Sequence, residues 1–101
     1  MPENAGVNVK IRRNPNDPLQ CIVVPQKFIA NRGGTVTFEH DDLPRRVVIT
    51  FPKGSPFAEH TFESGETSHT VVNSGRFDFT VSWVDELGKG HGNGTGEVPP
   101  G

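Results

Sequence analysis

The chain holds one cysteine, one tryptophan, one methionine and no tyrosine. A lone Cys21 excludes an intrachain disulfide and any metal centre built on several thiolates. Leucine and alanine occur only three times each, so the best apolar helix formers are nearly absent and a helical bundle is excluded. No window approaches the roughly 18 consecutive apolar residues of a membrane span. The start, Met1-Pro2-Glu3-Asn4-Ala5-Gly6, lacks the basic-then-apolar order of a secretion signal. The expected location is cytoplasmic as the sequence stands, and periplasmic or secreted if a leader has been trimmed away. Positive charge is scarce too: 10 Lys and Arg stand against 12 Asp and Glu, for a net charge of −2. That balance supplies no broad field to replace counterions on a phosphate backbone, so neither nucleic acid nor membrane is an expected partner.

What is present is β-forming. Val (12), Ile (4) and Thr (8) dominate, with seven Phe, and branched or aromatic side chains suit a pleated, half-buried surface. At 101 residues the chain makes one domain, 1–101, with one core and no cleft between domains. Short alternating runs recur between turn residues at the spacing of a sandwich or barrel. Val7 to Arg12 puts apolar residues at odd positions; Asn14-Pro15-Asn16-Asp17-Pro18 ends it, because Pro removes ladder donors and Asn and Asp favour turns. Further strands are expected at Cys21–Val24, Phe28–Ala30, Thr35–Glu39, Arg46–Phe51, His60–Phe62, Thr67–Val72 and Arg76–Val84. Turns are expected at 31–34, 64–66 and 73–75. Phe77, Phe79, Val81 and Trp83 share one face and form the expected centre of the core, with Phe57 plugging one end. From Gly88 to Gly96 glycine stands at every second place, which predicts a mobile loop because ordering so many glycines costs entropy. Glu97-Val98-Pro99 would then close the domain as an edge strand.

The segment Phe28-Ile29-Ala30-Asn31-Arg32-Gly33-Gly34-Thr35-Val36-Thr37-Phe38 resembles a strand, glycine turn and strand of the cupredoxins. So do Arg45 to Phe51, Pro56-Phe57, Phe62 to Glu66 and Gly75 to Val81, in that order over residues 20–98. The resemblance implies an all-β Greek-key sandwich that in this family usually carries copper. It also implies a histidine at the start of the strand that here begins Arg45-Arg46, and a cysteine just after Phe79-Thr80, near Val81. A second histidine and a methionine would follow. A guanidinium repels a metal ion and valine has no donor atom, while a blue-copper site needs a thiolate between two imidazoles. The expectation is therefore the fold without type 1 copper and without a cofactor.

The first alternative is a divalent metal ion, Cu(II), Zn(II) or Ni(II), held by His40, Asp41 and His91, the last on the expected late loop; the second is copper electron transfer as the resemblance implies, for which the ligands are absent. His60 and His69 alternate with Thr and Ser and read as a solvated sheet face. Arg45 and Arg46, near Lys89 and His91, would form a small basic patch able to read a carboxylate or phosphate, or would simply pair with Asp41 and Asp42. Trp83 and Asp85 lie at the same end. Cys21 reads as a small buried hydrophobe. Asn93-Gly94-Thr95 fits the glycosylation pattern, incidental without a secretion signal. With no catalytic arrangement to assign, the expected function is a non-enzymatic, monomeric binding module. Its partner would be a protein or small anionic ligand meeting Arg45, Arg46, Trp83, Asp85, Lys89 and His91.

Overall fold

A computed structural model describes residues 6–65 and 67–100. Residues 1–5, Glu66 of the expected 64–66 turn, and Gly101 lie outside the described residues. Among the described residues the chain is all-β, with nine strands: β1 (Val7–Asn14), β2 (Asp17–Val24), β3 (Lys27–Ile29), β4 (Thr35–Asp41), β5 (Val48–Thr50), β6 (Thr61–Glu63), β7 (Ser68–Thr70), β8 (Gly75–Asp85) and β9 (Gly88–Val98). No helix is long and apolar enough to cross a membrane. The strand order β6-β5-β8-β9-β2-β1-β4-β7 makes two layers, the first layer β2-β1-β4-β7 and the second layer β6-β5-β8-β9. β2 passes between them, joined to β9 only at Gln20 opposite His91, and β3 then takes its place beside β9. β1 lies parallel to β4 and β3 parallel to β9, so the chain crosses over rather than meandering.

Alternation decides what faces in. Val9 and Ile11 of β1, Val36 and Phe38 of β4, Ile49 of β5 and Phe79, Val81 and Trp83 of β8 are all buried. Phe57, in the irregular segment between β5 and β6, is buried as expected; Phe77 is only partly buried. The rings form one cluster: Phe38 stands edge-on to Phe28, Phe57 and Phe79 at centroid distances of 5.9, 6.1 and 5.6 Å. Such pairs add to the burial of large apolar area.

The Gly88–Gly96 segment is not a loop. It is the first nine residues of β9, paired antiparallel with β8 along its whole length, from Asp85 opposite Gly88 to Gly75 opposite Val98. The glycines are required there. A Cβ on Gly90 would overlap the Trp83 indole, one on Gly92 the Cys21 sulfur, one on Gly94 the Phe79 ring and one on Gly96 the Phe28 ring. Large side chains thus lie directly on bare backbone, and their burial offsets the entropy lost by the glycines. β9 is also interior rather than an edge, since β8 flanks one side and β2 and β3 the other.

The two edge strands meet on the far side. His69 of β7 stacks on Phe62 of β6, with ring centroids 4.0 Å apart and planes 30° apart, so it is no solvated surface histidine. Burial pushes its pKa below the ordinary value, and the Glu59 carboxylate 3.8 Å away works in the opposite direction.

Two outcomes follow from this packing. Gly94→Ala should cost about 1–3 kcal/mol through overpacking, read as a lower urea midpoint. Gly65→Ala, where a Cβ meets nothing within 4 Å, should leave the midpoint nearly unchanged. Because folding favours neutral His69, its contribution is complete above about pH 6.5 and is lost as pH falls through its depressed folded value. The difference in stability between the wild type and His69→Phe should shift against the wild type over that acidification, measured by urea unfolding at a series of pH values.

Candidate functional site

The β1–β2 turn, the loop between β4 and β5, and the β8–β9 hairpin come together at one end of the sandwich. Parallel pairing carries β1 and β4 to this end side by side, with Arg12 opposite Asp41. Antiparallel pairing of β5 with β8, Val48 opposite Ser82, brings the start of β5 beside the end of β8. The hairpin itself is tight: only Glu86 and Leu87 separate Asp85 from Gly88. The Asp85 carboxylate accepts the Leu87 N–H at 2.8 Å and so shapes the turn.

Arg13 holds this end together. Its Nε donates to the Asp42 carbonyl at 2.9 Å, its Nη1 to the Pro18 carbonyl at 2.6 Å, and its Nη2 lies 3.0 Å from Asp85 Oδ2. One guanidinium therefore ties β1 to β2, to the β4–β5 loop and to the hairpin. The geometry uses its planar fork of donors, which a lysine cannot reproduce. Partial burial tends to raise the Asp85 carboxyl, but the Leu87 N–H and the Arg13 guanidinium outweigh it and hold the group below the usual carboxylate range. The Trp83 indole N–H turns toward the same carboxylate without completing a hydrogen bond.

The residues picked out in the sequence divide among separate places. Arg46, Trp83 and Lys89 do come together, lining a groove of about 410 Å3 on the outer side of β5, β8 and β9 with Val48, Ser82, Val84 and Gly90. Val84 is exposed in it, and Lys89 sits directly across from it in the β8–β9 register. Trp83 contributes from below, its indole buried over Gly90. Arg45 is exposed in the preceding loop. Asp85 belongs to the Arg13 cluster instead, in a depression bordered by Leu43, Pro44 and Leu87.

His91 lies opposite Gln20 and lines a different groove, beside Cys21. The expected pairing of Arg45 and Arg46 with Asp41 and Asp42 does not form. Arg46 is 3.4 Å from Glu63, Asp41 is 3.3 Å from Lys10, and Asp42 offers its backbone carbonyl to Arg13. These exposed pairs contribute about 0–1 kcal/mol each. Cys21 is half-buried against Gly92, and burial pushes its thiol up to about 11 against the pull of a backbone hydrogen bond, which makes it a poor nucleophile at neutral pH.

The histidine and aspartate candidates are not gathered either. His40 and Asp41 stand on β4 in one layer, His91 on β9 in the other. His40 Nδ1 is 3.0 Å from the Ser64 hydroxyl and Asp41 faces Lys10. Among the described residues there is no group of three or more His, Cys, Asp or Glu able to hold a metal ion. At the position where the family's cysteine would stand, Val81 is fully buried between Ile49 and Gly92. Its side chain offers no donor atom to a metal ion.

Arg13 was missed by the sequence reading, yet its signal is present. Extending the odd-numbered inward face of β1 one step beyond Ile11 reaches Arg13, and extending that of β8 beyond Trp83 reaches Asp85. A charge of each sign at the inward parity is a pairing signal. Since Asp85 ionises more readily in the folded chain, its contribution is present above the ordinary carboxylate range and lost as pH falls through its depressed folded value. Arg13→Leu should lower the urea midpoint at pH 7, and the gap to wild type should narrow under acid titration. A gap independent of pH would show that Arg13 acts by packing alone.

No family model matches the chain, and no curated protein matches it. Among solved structures it is similar to a pseudoazurin from Sinorhizobium meliloti, with a TM-score of 0.63 and 18% identity over 95% of this chain and 75% of that one. It is also similar to the reduced Cu(I) form at pH 4 of the P52G mutant of amicyanin, with a TM-score of 0.48 and 12% identity over 91% of this chain and 82% of that one. With the Greek-key crossovers and the two-layer sheet, the pseudoazurin likeness establishes the fold: this chain is a cupredoxin-like β-sandwich.

Proposed function

We propose that this chain is a non-enzymatic binding module that uses the cupredoxin-like scaffold without a type 1 copper site. The observation that carries the reading is the end of the sandwich itself. Where the family's metal would join the β4–β5 loop to the end of β8, Arg13 makes the joint, and a two-residue hairpin leaves no room for a string of ligands. Loops and strand ends on a rigid scaffold are where recognition is usually built. The groove between Lys89 and the Glu63-paired Arg46 offers exposed Val84 and half-buried Val48. Its complement is a partner segment that places an acidic side chain beside an apolar one.

Two measurements test this reading. Adding Cu(II) should produce no intense visible band near 600 nm; such a band would overturn the metal-free reading. An acidic peptide with interspersed leucines should shift the amide signals of Ser82, Val84 and Lys89 saturably in a 15N-labelled sample. The doubly charge-reversed Arg46→Glu, Lys89→Glu chain should lose those shifts while keeping its signal dispersion. Shifts that persist in the reversed chain would remove the groove from the function.

A further inference from the structure

A further groove lies on the same outer face, at the opposite end of β8. Its sides come from β3, β8 and β9, its volume is about 490 Å3, and it runs into a smaller hollow of about 200 Å3 that shares Pro52, Arg76 and Asp78 with it. The volume of the larger part is in the range of small-molecule sites.

The chemistry of the lining is set by register. Lys27, Thr95 and Asp78 lie directly across from one another on β3, β9 and β8. Asn93 and Thr80 form the next row on the same face. Successive positions on one face of a strand are roughly 6.6 Å apart, and neighbouring strands roughly 4.8 Å apart. The outcome is a grid of hydroxyl, amide and carboxylate groups on the scale of a hexose ring. Thr95 Oγ1 donates to Asp78 Oδ1 at 2.9 Å, which orients that carboxylate and leaves its second oxygen to accept a ligand hydroxyl. The Gln26 and Asn93 amides supply both donors and acceptors.

Two further features narrow the ligand. Pro52 gives the groove an apolar border, and partly buried Phe77 lines only the adjoining hollow, so the site is polar on its floor and apolar at one side. Arg76 and Lys53 border that wall, and neither has a carboxylate within 4.0 Å among the described residues. Lys27, by contrast, is neutralised by Glu97 at 2.8 Å. Glu97 also stands opposite Arg76 in the β8–β9 register, so Lys27, Lys53 and Arg76 face Asp78 and Glu97 and leave an excess of one positive charge.

We propose that this groove binds a small polyhydroxylated ligand carrying one acidic group, a sugar bearing a carboxylate or a phosphate. The ring hydroxyls meet Asp78, Thr80 and Asn93, the apolar ring face lies on Pro52, and the acid meets Arg76 and, in the adjoining hollow, Lys53. Arg76 presents a fork suited to either anion.

The test is titration of the 15N-labelled chain with glucuronate, glucose 6-phosphate, glucose and inorganic phosphate, followed at the amides of Asp78, Thr80 and Asn93. Glucuronate or glucose 6-phosphate should shift these signals saturably, and the tighter of the two identifies the acid. Glucose should bind about tenfold more weakly than that acid, and Arg76→Ala should weaken the acid about tenfold while leaving glucose unchanged, the effect of one lost charge-assisted contact. Asp78→Asn should weaken every sugar probe. Saturation by inorganic phosphate as tight as by the sugar acids would overturn the hydroxyl recognition. The proposal also fails if no probe saturates, or if Arg76→Ala binds the acid as tightly as wild type.

Discussion

The structure depends on the contact between side chains and bare backbone along β9. Trp83, Cys21, Phe79 and Phe28 come from three different strands, and each covers one glycine of the same stripe. Ordinary inward side chains on β9 would hold these groups away from the strand, with no space left for the ring cluster built from Phe28, Phe38 and Phe79. The thinness of one strand therefore permits the bulk of its neighbours. A core this rich in phenylalanine fits into 101 residues because four of the positions facing it carry no side chain at all.

The all-β class and most strand positions were legible in the sequence because period-two alternation is a local signal. Val7 to Ile11 and Phe77 to Trp83 show which face is buried without reference to a partner. Short strands lost residues at their ends: β5 is Val48–Thr50 within the expected Arg46–Phe51, although Val47 and Phe51 are buried as that reading requires. The glycine segment could not be read in this way. Its conformation is determined by Trp83, Phe79, Cys21 and Phe28, the nearest of which is five residues from Gly88 and the farthest sixty-seven, and no window of local sequence contains them all. Single-strand alternation describes where side chains point, whereas β9 is ordered by what points at it.

The candidate site was legible in part for the same reason. Arg46, Trp83 and Lys89 were recognisable as a group because the end of β8 and the start of β5 lie at one end in any sandwich of this order. His40 and His91 were drawn together by an expected loop that is instead a strand in the other layer. Arg13 was visible only as a break in alternation, and its meaning emerges when the equivalent break at Asp85 is found opposite it. A single guanidinium with three partners joins this end of the sandwich, through hydrogen bonds to two carbonyls and an ion pair with a carboxylate.

From Gly88 to Gly96 the stripe leaves β9 with no inward side chain to distinguish one alignment from another, and only Val98, buried at the far end of the strand, breaks the pattern. Displacing the strand by two residues along β8 would again set a glycine beneath Trp83, beneath Phe79 and in the place opposite Val81, so steric fit on that face is periodic and nearly blind to such a slip. What removes the degeneracy is the hairpin. With only Glu86 and Leu87 between the strands and the Asp85 carboxylate holding the Leu87 N–H, the turn cannot absorb two extra residues. The hairpin that closes one end of the sandwich thus acts as the origin from which the alignment of an eleven-residue strand is counted.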